Sequence, residues 1–193
     1  YKTHLSKMFS LIGDENTESL ASRVYAIEEA LAQVSMTRVE RRDPDSTYNK
    51  LNIDELSKIT SNINWETYFK TIGLSDVEHV VVGQPNFMKG LNDLLLSVPL
   101  EDWKAYSRWK LVDAYASELS SVFVNQNFDF YNRTLSGTEV MKSREEIALR
   151  KVNGSLGELV GKAFVARYFP EESKANVRQM VENLRTVFKE RVR

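Results

Sequence analysis

The chain has 193 residues, 42% hydrophobic and 27% charged, a composition that describes a soluble globular protein and excludes a disordered or membrane-spanning one. Lys and Arg number 26 against 27 Asp and Glu, so a net charge of -1 supplies no field to recruit nucleic acid or an anionic membrane. Zero cysteines remove disulfides, thiolate nucleophiles and Cys-held metals.

The opening residues, "YKTHLSKMFSL", do not read as a signal peptide, and Tyr1 in place of Met predicts an excised or processed segment. No apolar run approaches the roughly 20 residues that span a bilayer. Gly13 is a helix stop. After it, Leu20, Val24, Ile27, Leu31 and Val34 alternate steps of four and three, which lays them along one buried stripe of a helix. "RRDPDSTYNK" breaks that pattern at Pro44 and reads as a loop. Asn52 followed by Glu55 predicts a capping box and a short helix, and Asn64 predicts the cap of the next, where Trp65, Tyr68 and Phe69 share a face.

"EHVVVG" is the one convincing extended segment, near residues 78–82, because consecutive valines suit a pleated backbone. Pro85 opens a helix with Met88, Leu91, Leu94 and Leu95 on its apolar face; Pro99 opens another through Trp103, Tyr106 and Leu111 toward Phe123. "NRTLSGTE" reads as a turn, and a helix from about Ser143 carries Ile147 and Leu149 into "NGSLG", which interrupts or loosens it. After Pro170, Val177, Met180, Val181, Leu184, Val187 and Phe188 predict a last helix with a core-facing stripe. The fold class is all-α, with about eight or nine helices and at most one short extended segment.

The candidates for chemistry are few. His4 and His79 fit no ligand spacing and read as surface or packing histidines. Glu28 with Glu29, and Glu145 with Glu146, point about 100° apart on a helix, so neither pair is an acid and base couple. "GSLGELVG" matches no phosphate loop; Gly157 and Gly161 share a face and predict close helix packing. Trp65, Tyr68 and Phe69, like Trp103 and Tyr106, read as core. Asn132-Arg133-Thr134 and Asn153-Gly154-Ser155 are glycosylation sequons by rule, relevant only in a eukaryotic secretory host. No catalytic, cofactor-binding or metal residue is identified.

The blocks "STYNKLNIDELSKITSNINWETYF", "HVVVGQPNFMKGLNDLLLSVPLEDWKAYSRWKLVDAYASELSSVF", "FDFYNRTLSGT" and "VNGSLGELVGKAFVARYFPEESK" resemble, in order, the neprilysin family of zinc endopeptidases. With the "IEEALAQ" helix before them they cover most of residues 20–193. Where the family usually has an Arg-Trp pair, this chain has Ser143-Arg144-Glu145. The resemblance implies that the segment is the family's helical, non-catalytic second domain, residues 1–193, which covers the active-site cavity and restricts substrate size. It implies zinc in the parent enzyme, held by an HExxH helix and a later ExxxD glutamate that match no position here. The implied partners are a catalytic domain of the same polypeptide and small peptide substrates, with no nucleic acid and no membrane contact from this segment. The implied location is extracytoplasmic in a bacterium: periplasmic, envelope-attached or secreted. Tyr1 and Arg193 are expected near each other. The alternative is a free-standing helical binding or scaffold module without peptidase activity.

Overall fold

The structure, a computed structural model, describes residues 1–192. Its elements are α1 (Lys2–Leu11), α2 (Thr17–Val34), α3 (Pro44–Thr47), β1 (Asn49–Asn52), α4 (Ile53–Ile59), α5 (Trp65–Thr71), β2 (His79–Val82), α6 (Pro85–Ser97), α7 (Leu100–Tyr115), α8 (Ser121–Asn127), a π-helical segment (Phe128–Thr134), α9 (Arg144–Tyr168) and α10 (Glu171–Val192). The class is all-α, as the sequence predicts. The chain divides into two compact units, Tyr1–Glu139 and Val140–Arg193. The expectation that places Tyr1 near Arg193 falls outside the described residues.

In the first unit, Tyr1, His4, Leu5, Met8 and Phe9 recur at helical spacing and give α1 one apolar face. Glycine then ends the helix in a Schellman turn: Gly13 takes a φ of +83°, its N–H donates to Ser10 O (3.0 Å), and Asp14 N–H donates to Phe9 O (3.1 Å). Asp14 is thereby aimed at Arg108, whose Nη2 donates to both carboxylate oxygens at 2.7 Å and ties the end of α1 to α7. The core between these helices is Leu5, Met8 and Phe9 of α1, Ala21 and Val24 of α2, Ala105 and Trp109 of α7, and Ala116 just beyond it.

The stripe predicted on α2 is only partly buried: Val24 and Ile27 are inside, while Leu20, Leu31 and Val34 are half-buried. Gly90 lets α6 lie against Val34, and Gln84 Oε1 accepts from Met36 N–H at 2.7 Å, fixing the start of α6 to the end of α2. On α7 the expected face needs correction. Leu111 is 61% exposed, because the small side chains of Ala105 and Ala116 bring the backbone close and turn Trp109 inward. The helix also stops at Tyr115 instead of running toward Phe123.

Both predicted side-chain caps form. Glu55 N–H donates to Asn52 Oδ1 and Asn52 N–H to Glu55 Oε2, each at 2.8 Å, and Thr67 N–H donates to Asn64 Oδ1 at 2.8 Å. Two segments read as irregular are ordered. "RRDPDSTYNK" holds α3 and the start of β1, which pairs antiparallel with β2, Asn49 opposite Val82 and Asn52 opposite His79, so there are two strands and not one. "NRT" of the expected turn lies in the π-helical segment, where Thr134 Oγ1 donates to Asp129 O at 2.7 Å.

In the second unit, α9 starts on a capping box: Glu146 N–H donates to Ser143 Oγ (3.2 Å) and Ser143 N–H to Glu146 Oε2 (3.3 Å). "NGSLG" does loosen it, since Leu156 leaves helical geometry at φ -124° and ψ 23°. Two expectations fail here. Among the described residues of this unit nothing lies within 4 Å of a Cβ built on Gly157 or Gly161, so the expected close packing there is not formed. The stripe from Val177 to Phe188 is exposed, and none of residues 140–192 is buried. Apolar periodicity marks a face that can be covered without supplying the cover. Leu184 is 63% exposed, so Leu184→Ala in this chain should change stability by no more than about 0.5 kcal/mol, measured by urea unfolding. A cost of about 2 kcal/mol or more would return Leu184 to a core.

Candidate functional site

A cluster of polar and aromatic groups sits where α1, α7 and the π-helical segment meet. His4, 3% exposed, stacks on Phe130 with ring centroids 4.5 Å apart and planes 11° from parallel. The edges of Trp109 and Tyr131 close its sides at 5.4 and 5.5 Å. Gln126 Nε2–H faces His4 Nδ1 at 3.1 Å, while Nε2 of the ring is buried with no hydrogen-bond partner among the described residues. Tyr131 donates to Asp113 Oδ1 at 2.9 Å. Tyr1 packs on Trp109 and Phe130 and lies against Glu28.

The histidine and the tyrosines of this knot are held in their neutral forms. Burial lowers the His4 pKa to about 4, against the opposing pull of Asp113. Burial raises the Tyr1 phenol well above its ordinary range, with a hydrogen bond to Glu28 acting in the same direction. Tyr131 is raised by burial and then by its bond to Asp113, and Tyr106 by burial and then by the charge of Glu28. Tyrosines shifted upward are poorer acids near neutral pH, and a histidine shifted to about 4 is a poor base.

A second feature is an open apolar groove between α5, β2 and α6, lined by Leu56, Trp65, Phe69, Val81, Phe87 and Met88 among others. Trp65 Nε1–H donates to Thr60 Oγ1 at 2.7 Å, which turns the indole across the groove floor. Trp65, Tyr68 and Phe69 are therefore a groove wall and not the core expected of them, Tyr68 being exposed and the other two half-buried.

The remaining candidates lie apart from both features. His79 is exposed, with Nδ1 4.0 Å from Glu78 Oε2. Glu28 is half-buried and Glu29 exposed, as side chains about 100° apart require. Glu146 serves the α9 cap, and Glu145 is exposed beside it. Trp103 and Tyr106 meet edge to face at 5.8 Å at the margin of the core. Asn132 and Asn153 are exposed. Among the described residues no three of His, Asp or Glu gather where they could hold a metal ion, so the residues present do not fit a zinc centre. The burial of His4 was open to sequence reading, since Tyr1, His4, Leu5 and Met8 share a helical face. Phe130 and Tyr131, more than a hundred residues away, were not.

The family model described as Peptidase family M13 matches residues 1–193. Endothelin-converting enzyme-like 1 of Rattus norvegicus is 27% identical over all of this chain, which spans 25% of that protein. Neutral endopeptidase of Lactobacillus helveticus is 28% identical over 94% of the chain and 28% of its own length. Among solved structures, zinc metalloprotease Zmp1 of Mycobacterium tuberculosis in complex with an inhibitor superposes with a TM-score of 0.88 and 31% identity, covering 95% of this chain and 28% of that one. The chain thus spans about a quarter of the relatives it matches. No described helix is long and apolar enough to cross a membrane.

Proposed function

Because the chain belongs to peptidase family M13, we propose that it is the helical, non-catalytic domain, residues 1–193, of a zinc endopeptidase that cleaves small peptides. Its partner is a catalytic domain of the same polypeptide, which carries the zinc on an HExxH motif. Together the two enclose a cavity that a flexible peptide enters and a folded protein does not, and that partly excludes water from the reacting centre. The location proposed with it is extracytoplasmic, in a bacterium.

The observation that carries this reading is the match of the whole chain to one family, with a solved zinc metalloprotease superposing on 95% of it. The test compares the parent polypeptide with the 193-residue chain on short fluorogenic peptides. The parent is expected to cleave them and to lose activity on chelation; the chain alone is expected to retain no stoichiometric zinc after dialysis against a weak chelator and to cleave nothing. Chelator-sensitive cleavage by the isolated chain, or a parent reading frame without a downstream HExxH, would overturn the proposal and favour a free-standing binding module.

A further inference from the structure

We propose that His4 is an acid-released latch: its neutral ring clamps the π-helical segment Phe128–Thr134 onto α1 and α7, and taking up a proton frees that segment.

The argument starts from packing. His4 meets the segment through two of its rings, stacked on Phe130 and edge-on to Tyr131, beside the buried Phe128, and it meets α7 through Trp109. Its ring joins the segment to α7, with Tyr1 also packed on Phe130. A π-helix is a rare winding that the backbone adopts only where surrounding contacts hold it. Here those contacts include the two rings against His4, the Tyr131 hydroxyl bond to Asp113, the buried Phe128 and the bond from Thr134 Oγ1 to Asp129 O.

Protonation makes both ring nitrogens donors. Nδ1 faces the Gln126 amide, whose NH₂ would have to turn away to present its oxygen. With Nδ1 accepting from Gln126, the neutral ring already holds its proton on Nε2, which has no acceptor among the described residues, so protonation adds a buried positive charge and a donor at Nδ1 facing the NH₂. The surrounding charges do not repair this. On α1, Lys7 opposes a second cation, and the Tyr1 phenol is bound to Glu28 of α2. On α7, Asp113 favours the proton but is engaged by Tyr131, and Tyr106 is neutral. On the segment itself, Asp129 and Arg133 pair with each other. On α8, the Gln126 amide is the group that faces the ring. Burial outweighs the one attractive carboxylate, which is why the pKa falls to about 4.

The sign is fixed by that direction. With the native pKa at about 4 and the ordinary value at 6.5, the open state binds more protons in between. The clamp is complete above about 6.5 and is lost as the pH falls through about 4. Between pH 7 and pH 5 the open population should rise about twentyfold.

Amide hydrogen exchange on the full-length parent polypeptide, corrected for intrinsic rates, reads this directly. Residues 121–136 are expected to exchange about twentyfold faster at pH 5 than at pH 7, with α6 and the far end of α2 unchanged. In His4→Phe, which keeps a planar ring against Phe130 and cannot titrate, the step should vanish; in His79→Asn it should persist. An equal step in His4→Phe, or a step spread evenly over the first unit, would overturn the latch. If His4→Phe does not fold, the wild-type ring signals decide: a His4 midpoint near 6.5, or one near 4 with no coupled change at residues 128–134, refutes it.

Discussion

Trp109→Ala is expected to lower the stability of the first unit by about 3–5 kcal/mol, the largest loss of any single truncation in the chain. The indole is 1% exposed and is the largest side chain so deeply buried. It touches α1 through Tyr1 and His4, and its helix supplies Ala105 to the same cluster. Domains of this size are stable by only about 5–15 kcal/mol, so such a loss leaves a sizeable unfolded population near physiological temperature. Urea unfolding followed by far-ultraviolet circular dichroism measures it. Trp103→Ala, at a half-buried position on the same helix, should cost clearly less. A loss below about 1 kcal/mol for Trp109→Ala would mean that α1 and α7 do not share this core.

Gly90→Ala is expected to destabilise by about 1–3 kcal/mol, against the usual trend. In an exposed helix the same change gains about 1 kcal/mol, because glycine is the more flexible residue in the unfolded chain. Here an added Cβ would lie 2.6, 2.7 and 2.9 Å from Val34 Cγ1, Cβ and Cγ2. Valine is short, β-branched and locked in one helical rotamer, so it cannot swing aside and the two helices must part. Val34→Ala should recover most of the loss in the double variant, giving a coupling energy of about 1 kcal/mol or more. Stabilisation by Gly90→Ala alone would show that α2 and α6 are not in contact at this point.

What the sequence disclosed and what it concealed divide along one physical line. Caps at Asn52 and Asn64 bind groups within three residues, so the local order of side chains determines them. The ordered family blocks were equally legible, and the match to residues 1–193 agrees with them. Strand β1 was not, because "NKLN" has no β-branched residue and becomes a strand only by pairing with the valines of β2. Leu111 was misplaced because hydrophobicity favours leucine over alanine, whereas the close approach of helices favours alanine. The knot around His4 joins residue 4 to residues 109, 126, 130 and 131, a juxtaposition that no local pattern encodes. The stripe on α10 was read correctly as apolar and wrongly as enclosed.

The separation of α1 from α7 also sets a clock on biosynthesis. Leu5 and Trp109 lie about 100 residues apart, and a ribosome adds roughly 5–20 residues per second. For roughly 5–20 s after α1 leaves the exit tunnel, the α7 helix it is to bury against has not yet emerged. In that interval Leu5, Met8 and Phe9 have Ala21 and Val24 of α2 beside them but lack the cover of Ala105 and Trp109. A nascent chain stalled before Trp109 should therefore expose that face to holdase chaperones, and one extended past Phe130 should not.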